Sequence, residues 1–297
     1  MSPSPEFGRR APLPRPPVQS PKSESVQEAI APEIAGKGFR PSLLSLLCLV
    51  GLFLCAAWLL TQTPRGRYYV SEIAGQLDPR PTKTVLLIGN SRTYYNDLPD
   101  MVRRMADSAH SPTRLSITIL AWGGASFEEN WNDAGVQSAL RRHWDAVILQ
   151  SESRAIYGED NRASFSAYGR KLLAAARQSG SPAAVIVNWG YGESLYLEGP
   201  PGGRAEDIRT VERLTRDLAS QADARIIDTC SVWERIHADH PDLQLYEDGN
   251  HPTVAGSYIS ALMIYRFLSD GDAEKVSYLP GGLDAQSADA IKRIASQ

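Results

Sequence analysis

Lys83 to Ser91 reads KTVLLIGNS, and the architecture of the whole chain hangs on it. Its centre, Val85 to Gly89, is an unbroken apolar run ended by a glycine, which reads as a short strand buried on both faces. Further short apolar runs follow: Leu115 to Leu120 (LSITIL), Ala146 to Gln150 (AVILQ), Ala183 to Asn188 (AAVIVN) and Ala224 to Asp228 (ARIID). Helix-length stretches separate them, at Leu98 to Ala109, Phe127 to Arg142, Ser164 to Gln178 and Glu206 to Ala222, and a last one runs from Thr253 to Leu268. Strands alternating with helices predict a three-layer α/β/α domain around a five-stranded parallel sheet, wound by right-handed crossovers. In such a sheet the ligand site lies at the carboxyl ends of the strands, which is where Gly89-Asn90-Ser91 falls.

Upstream of this domain the composition changes twice. Residues 1–41 hold nine prolines and almost no aromatic residue, a composition that buries too little to offset ordering entropy, and they predict a disordered tail. Ser42 to Leu60, SLLSLLCLVGLFLCAAWLL, carries no charged residue. At about 1.5 Å per residue a run of this length comes close to spanning a hydrocarbon core of about 30 Å, so it predicts one membrane helix. A cleaved signal peptide or a buried core helix are the alternatives. Against the first, about 40 residues precede the run and no Ala-x-Ala follows it. The expected organisation is a proline-rich tail at 1–41, a transmembrane helix at 42–61, a linker at 62–82, the α/β domain at 83–270 and a C-terminal extension at 271–297.

Charge sets the expected orientation and limits the partners. Lys37 and Arg40 before the apolar run are matched by Arg65 and Arg67 after it, and Arg9, Arg10, Arg15 and Lys22 tip the count towards a cytoplasmic N-terminus with the domain outside. Six basic and four acidic residues fall in 1–41, leaving 25 basic and 30 acidic residues elsewhere. A mildly acidic domain in a chain of formal charge −3 has no field with which to hold a nucleic acid backbone. Cys48 and Cys55 lie in the apolar run and only Cys230 lies in the rest, which leaves neither a disulfide framework nor a thiolate metal cluster.

The strand ends carry the chemistry. Gly89 allows a tight exit from its strand, and Ser91 then sits near the start of the next segment, where backbone N–H groups can hold an oxyanion. The site is not a Gly-x-Ser-x-Gly elbow, because Thr93 occupies the second glycine position. Neither G-x-G-x-x-G nor G-x-x-x-x-G-K occurs, so the glycine-rich dinucleotide and phosphate loops are excluded. Towards the other end, Asp248-Gly249-Asn250-His251-Pro252 leads into the last helix. Asp248 and His251 are three apart on a turn, so the carboxylate can orient the imidazole while the imidazole takes a proton from a serine. Pro252 helps to fix that turn beside the helix start. Taken alone, Asp248 reads equally as a helix cap and His251 as a surface residue. A serine at the first strand's end together with Asp-x-x-His before the last helix is the more specific pattern.

These residues resemble the SGNH hydrolase superfamily, the GDSL-type lipases and esterases, over roughly residues 83–270. The family's first block, Gly-Asp-Ser, reads here Gly89-Asn90-Ser91, and its last block, Asp-x-x-His, reads Asp248-Gly249-Asn250-His251. Its second block is a glycine that serves the oxyanion hole, and AWGGASFEENW, with Gly123 and Gly124 past the second strand, looks like it. The resemblance implies an SGNH/flavodoxin-like fold, catalytic Ser91, Asp248 and His251, and oxyanion donors on Ser91 and Gly124. The Gly-x-Asn-Asp block expected after the third strand is missing, since VILQSESRAI stands there. Gln150 is the expected substitute donor, with Ser151 and Ser153 as weaker options.

Asn90, Arg92, Trp122, Gly123 and Trp189 are expected to border the substrate, Arg92 by binding an anionic group and Trp122 and Trp189, with Trp131, Tyr191 and Tyr196, by stacking on a sugar. Each has a plainer reading, as a solvated arginine or as packing aromatics. His110, His143, His237 and His240 show no metal-ligand spacing, and neither a metal nor another cofactor is expected. The loop Leu195 to Arg204 reads as a flexible cover or an ordinary surface loop. The resulting expectation is a single-pass, membrane-anchored serine hydrolase that cleaves or transfers an O-acyl group, acetyl above all, on a small molecule, carbohydrate or envelope glycan. The alternative is a catalytically silent SGNH-like domain that binds a glycan or tethers an envelope partner.

Overall fold

The computed structural model describes residues 43–61, 77–196, 203–269 and 271–297, together with positions 63, 66, 69, 73 and 75. The tail at 1–41, Ser42, most of the linker and the centre of the loop after Leu195 lie outside the described residues. The apolar run forms helix α1, Leu43–Thr61, which is 19 residues long. Among the described residues no helix is long and apolar enough to cross a membrane. The side chains at both ends of α1 are not among those described, so a membrane role for it rests on sequence and is taken up below.

The domain is a five-stranded sheet of order β2-β1-β3-β4-β5, parallel throughout. The strands are β1 Thr82–Gly89, β2 Arg114–Ala121, β3 Ala146–Leu149, β4 Ala183–Val187 and β5 Arg225–Asp228. They alternate with α2 Ser91–Tyr94, α3 Leu98–Ser108, α4 Phe127–Asn132, α5 Ala134–Leu140, α6 Glu159–Gln178, α7 Gly203–Ala222, α8 Thr229–Asp239, α9 Val254–Ser269 and α10 Ala285–Ala295. The fold is therefore the three-layer α/β/α arrangement expected from KTVLLIGNS and the runs that follow it. The helix expected over Phe127 to Arg142 is two helices rather than one. Asp133 is extended between them, and its carboxylate caps α5 by accepting from the Val136 N–H.

Why β1 lacks alternation is visible in the core. Val85 and Leu87 of β1 face one helical layer and Leu86 and Ile88 the other, all within 1% of fully buried, so each of these positions needs an apolar side chain. The first layer is α3, α8, α9 and α10; the second is α4 to α7. Helix α9 is enclosed by α3, α8 and α10, which accounts for its apolar residues all round. Gly256 on α9 is required there, because a Cβ would lie 2.5 Å from Trp233 and 2.6 Å from the Leu245 carbonyl. Residues 271–297 join this layer: Val276, Leu283, Ala288, Ile291 and Ala295 are buried against it.

Register sets the site. Gly89 pairs with Ala121, so Ser91 and Gly123 lie two residues beyond the same level of neighbouring strands. Ile88 pairs with Leu149, which brings Gln150 level with Gly89.

Candidate active site

Asn90 starts α2 as its cap. Its side-chain oxygen accepts from the Arg92 N–H at 3.2 Å, and the Asn90 N–H donates to the Thr93 hydroxyl oxygen at 3.2 Å. Ser91 is thus the first residue of a short helix, where its own N–H has no partner within the helix. Gly89 cannot be replaced in this turn, since a Cβ would meet Thr93 Oγ1 at 2.1 Å and Gln150 Oε1 at 2.8 Å.

The Asp248-to-Pro252 turn comes up to the same point from α9. The Asp248 carboxylate accepts from the N–H of Asn250 (2.9 Å) and of His251 (2.7 Å), an Asx-type turn that leaves its other oxygen 2.7 Å from His251 Nδ1. His251 Nε2 lies 2.9 Å from Ser91 Oγ. The three groups expected from sequence are in one hydrogen-bonded line. Burial works to raise the pKa of Asp248, but the His251 N–H, its imidazole and the Asn250 N–H outweigh it and hold the carboxyl at about 2. It is therefore an anion wherever the imidazole titrates.

Other side chains lock the serine segment to the histidine turn, and none was singled out in this role from sequence. Arg92 is 4% exposed. Its guanidinium donates to the Trp189 carbonyl (2.9 Å) and, through Nε and Nη2, to Asn250 Oδ1 (3.2 and 2.8 Å), and it lies 4.6 Å from the centre of the Trp189 ring. Expected to meet an anionic substrate group, it is instead committed to protein groups. Asn96 Nδ2 donates to the Pro252 carbonyl (3.0 Å) and to Ser257 Oγ (2.9 Å). Asn96 and Asp97 both adopt positive φ, 54° and 55°, a conformation that Asn and Asp tolerate better than other side chains do. Tyr95 stacks on the His251 ring with centroids 4.3 Å apart and planes at 9°. The faint sequence signal for Tyr95 was its position four residues after Ser91, one helical turn on.

The oxyanion side is made otherwise. Gly123 and Gly124 are exposed in a turn closed by the bond from the Ala125 N–H to the Trp122 carbonyl, and Gly124 has φ +71°, which suits glycine at the third position of such a turn. Tyr94 of α2 brings its hydroxyl beside Gly123. Asn90 ties this turn to α2 by donating from Nδ2 to the Ala125 carbonyl at 3.2 Å. Asn90 is 3% exposed, so its work is internal and not substrate contact.

Gln150 does not do what was expected of it. Its Oε1 accepts from the Asn90 N–H (3.2 Å) and the Thr93 hydroxyl (2.8 Å), and its Nε2 donates to the Ser151 carbonyl and to Asn188 Oδ1 (3.1 Å). At 2% exposure the amide is used up behind α2 and is not turned towards an oxyanion. Trp189 is corrected as well: it is 2% exposed, stacks on Trp233 at 4.3 Å, and belongs to the core. Trp122 and Trp131 are half-buried against the α4-to-α7 layer. Tyr191 donates to Ser153 Oγ at 2.7 Å. The cavity bounded by Arg92, Ser151, Tyr157, Trp189, Tyr191 and Asp207 holds about 20 Å³ and includes neither Ser91 nor His251.

No protein-family model matches the chain. No curated protein matches it either. Among solved structures, a protein from Slackia heliotrinireducens described as a candidate SGNH hydrolase is 26% identical, with a TM-score of 0.54, over 64% of this chain and 100% of that one. A DUF4886 family protein from Bacteroides uniformis has a TM-score of 0.55 at 16% identity, over 73% of this chain and 94% of its own. An acetylxylan esterase from Geobacillus stearothermophilus has a TM-score of 0.51 at 14% identity, over 64% and 95%. The last two show a shared fold alone. Taken with the sheet order and the line from Ser91 through His251 to Asp248, the first likeness makes the chain a divergent member of the SGNH hydrolase superfamily.

Proposed function

We propose that the chain is a membrane-anchored serine esterase that removes, or transfers, an O-acyl group, with acetyl esters of a carbohydrate or envelope glycan as the substrate class. The observation that carries this reading is the unbroken hydrogen-bonded line Asp248–His251–Ser91, with spacings of 2.7 and 2.9 Å. In the proposed reaction Ser91 Oγ attacks the acyl carbonyl while His251 Nε2 takes its proton, and the Asp248 anion supports the imidazolium. The oxyanion forms against the N–H groups of Ser91 and Gly124. His251 then protonates the departing alcohol oxygen, and a water deprotonated by the same imidazole releases the acyl group from Ser91. A second alcohol in place of that water gives transfer. Acetyl is favoured because acetylxylan esterases are among the solved structures of like fold.

The anchor is supported by α1 being predominantly apolar and free of charged residues; Leu47, Leu49, Leu52, Leu54 and Trp58 are each about three-fifths exposed or more, a state that water disfavours and lipid does not. Basic residues before it support a cytoplasmic N-terminus. Protease added outside sealed cells should then digest the domain, and protection would reverse the orientation. A second reading, a silent binding domain, draws on the engaged Gln150 amide, which leaves only two oxyanion donors. Turnover of an acetyl ester by the full chain, lost in Ser91→Ala, supports the enzyme; no turnover and no dependence on Ser91 supports the silent domain.

A further inference from the structure

We infer that Tyr95 is a positioning residue for this chemistry: its ring, stacked on His251, holds the imidazole on Ser91 Oγ and stabilises the imidazolium that forms as the serine attacks. The inference rests on the proposed Ser91–His251 mechanism. Three observations carry it. The rings are nearly parallel, 9° apart, with centroids at 4.3 Å, so the tyrosine presents its electron-rich face to the ring that becomes a cation. Tyr95 is built onto the nucleophile's own helix, four residues on, and its N–H donates to the Ser91 carbonyl. The backbone that carries the ring is therefore tied directly to that of Ser91. The next residue, Asn96, is bonded to Pro252 and Ser257, which pins the two stacked segments together on the other side.

The charges around the pair point the same way. On the histidine's own loop are Glu247 and Asp248, the latter in contact with Nδ1; on the facing segment are Arg92, Tyr94 and Asp97, and Tyr191 and Tyr246 lie beyond Arg92. Partial burial and the Glu247 and Asp248 carboxylates raise the phenol of Tyr95, so it stays neutral across the working range and offers a ring, not an anion. Arg92 is held to Asn250 and Trp189.

The test is a pH titration of the His251 ring by selectively labelled imidazole resonances in the full chain, identified by their loss in His251→Ala, run beside the pH profile of kcat/KM on an acetyl ester. Removing a cation-stabilising face makes the imidazole easier to deprotonate. In Tyr95→Leu the His251 midpoint and the acidic limb should therefore both move to lower pH by roughly 0.4 to 1.5 units, with kcat down by about 2- to 30-fold. Tyr95→Phe, which keeps the ring, should titrate like the parent. Should Tyr95→Leu not fold, Tyr95→Met carries the same expectation. An unmoved midpoint in the ringless variant overturns the inference even if the rate falls, because packing alone would lower rate without moving the titration. A Tyr95→Phe shift as large as that of Tyr95→Leu also overturns it, by assigning the effect to the hydroxyl. Failure of the mechanism reads differently: hydrolysis would survive Ser91→Ala, whatever the titration shows.

Discussion

The two sides of the site are held by different means. Residues 91–97 and 248–257 are joined by the bonds Ser91–His251, Arg92–Asn250 and Asn96–Pro252 and by the Tyr95 stack, whose partners lie far apart in sequence. The glycine turn at 122–125 is hydrogen-bonded to α2 through the Asn90 side chain, with the Tyr94 hydroxyl beside Gly123, and its two glycines are exposed. The proposed nucleophile and base are thus fixed by side chains, which mutation can remove, whereas the proposed donors opposite are backbone groups placed by strand register. An effect on catalysis should be easy to produce on the first side and hard to produce on the second without disturbing the fold.

The comparison breaks most sharply at the reacting groups. Ser91→Ala and His251→Ala should each lower kcat by about 10⁴-fold or more, and the double variant should be no worse, since the two act as one unit. Asp248→Asn should cost less than either. Steady-state kinetics on an acetyl ester at neutral pH measures all of them, and additive losses would separate serine from histidine. Activity in the parent should fall as pH drops through the imidazole's titration; Asp248, held at about 2, contributes no limb in that range.

The zipper sharpens the comparison at the next level. Arg92→Ala leaves the Trp189 carbonyl and Asn250 Oδ1 without their buried donor, and should cost about 2 to 4 kcal/mol of stability together with roughly 10- to 100-fold in kcat as the histidine turn drifts. Arg92→Lys should recover little, because an ammonium cannot span both acceptors in the plane that the guanidinium uses. Chemical denaturation and kcat on the same samples decide it; normal turnover in Arg92→Ala would show that the turn holds itself.

Gln150 distinguishes the two sides from behind. If its amide served the oxyanion, Gln150→Ala would lower kcat by about 10²- to 10³-fold. With both ends of the amide bonded inside the protein, the expected result is a stability loss of about 1 to 3 kcal/mol and less than a tenfold change in kcat. Smallest of all, Cys230→Ser should leave turnover unchanged. Burial pushes the Cys230 thiol well up, it is fully enclosed, and it touches neither side of the site.

The sheet could be read before the site could. Its strands declare themselves because burial on both faces demands apolar runs such as VLLIG and AAVIV, and the hydrogen-bonded line of Ser91, His251 and Asp248 was legible because the proposed proton transfer needs those residue types at strand and helix ends. Helix α8 escaped because Asp228 caps it immediately after β5, leaving no loop to mark its start. Helix α10 escaped because alanines fill much of its buried face. Arg92, Asn96, Gln150 and Trp189 misled or were passed over for one reason: a polar or aromatic residue near a site reads as substrate-facing, and only the tertiary partners reveal that its valence is already spent inside.

The central claim is that Ser91 is activated by His251. The most direct measurement is to treat the full chain with a fluorophosphonate and identify the modified residue by peptide mass spectrometry. The account expects a single adduct on Ser91, blocked in His251→Ala and formed more slowly as pH falls. An adduct elsewhere, or none on a sample that turns over an acetyl ester, would contradict it.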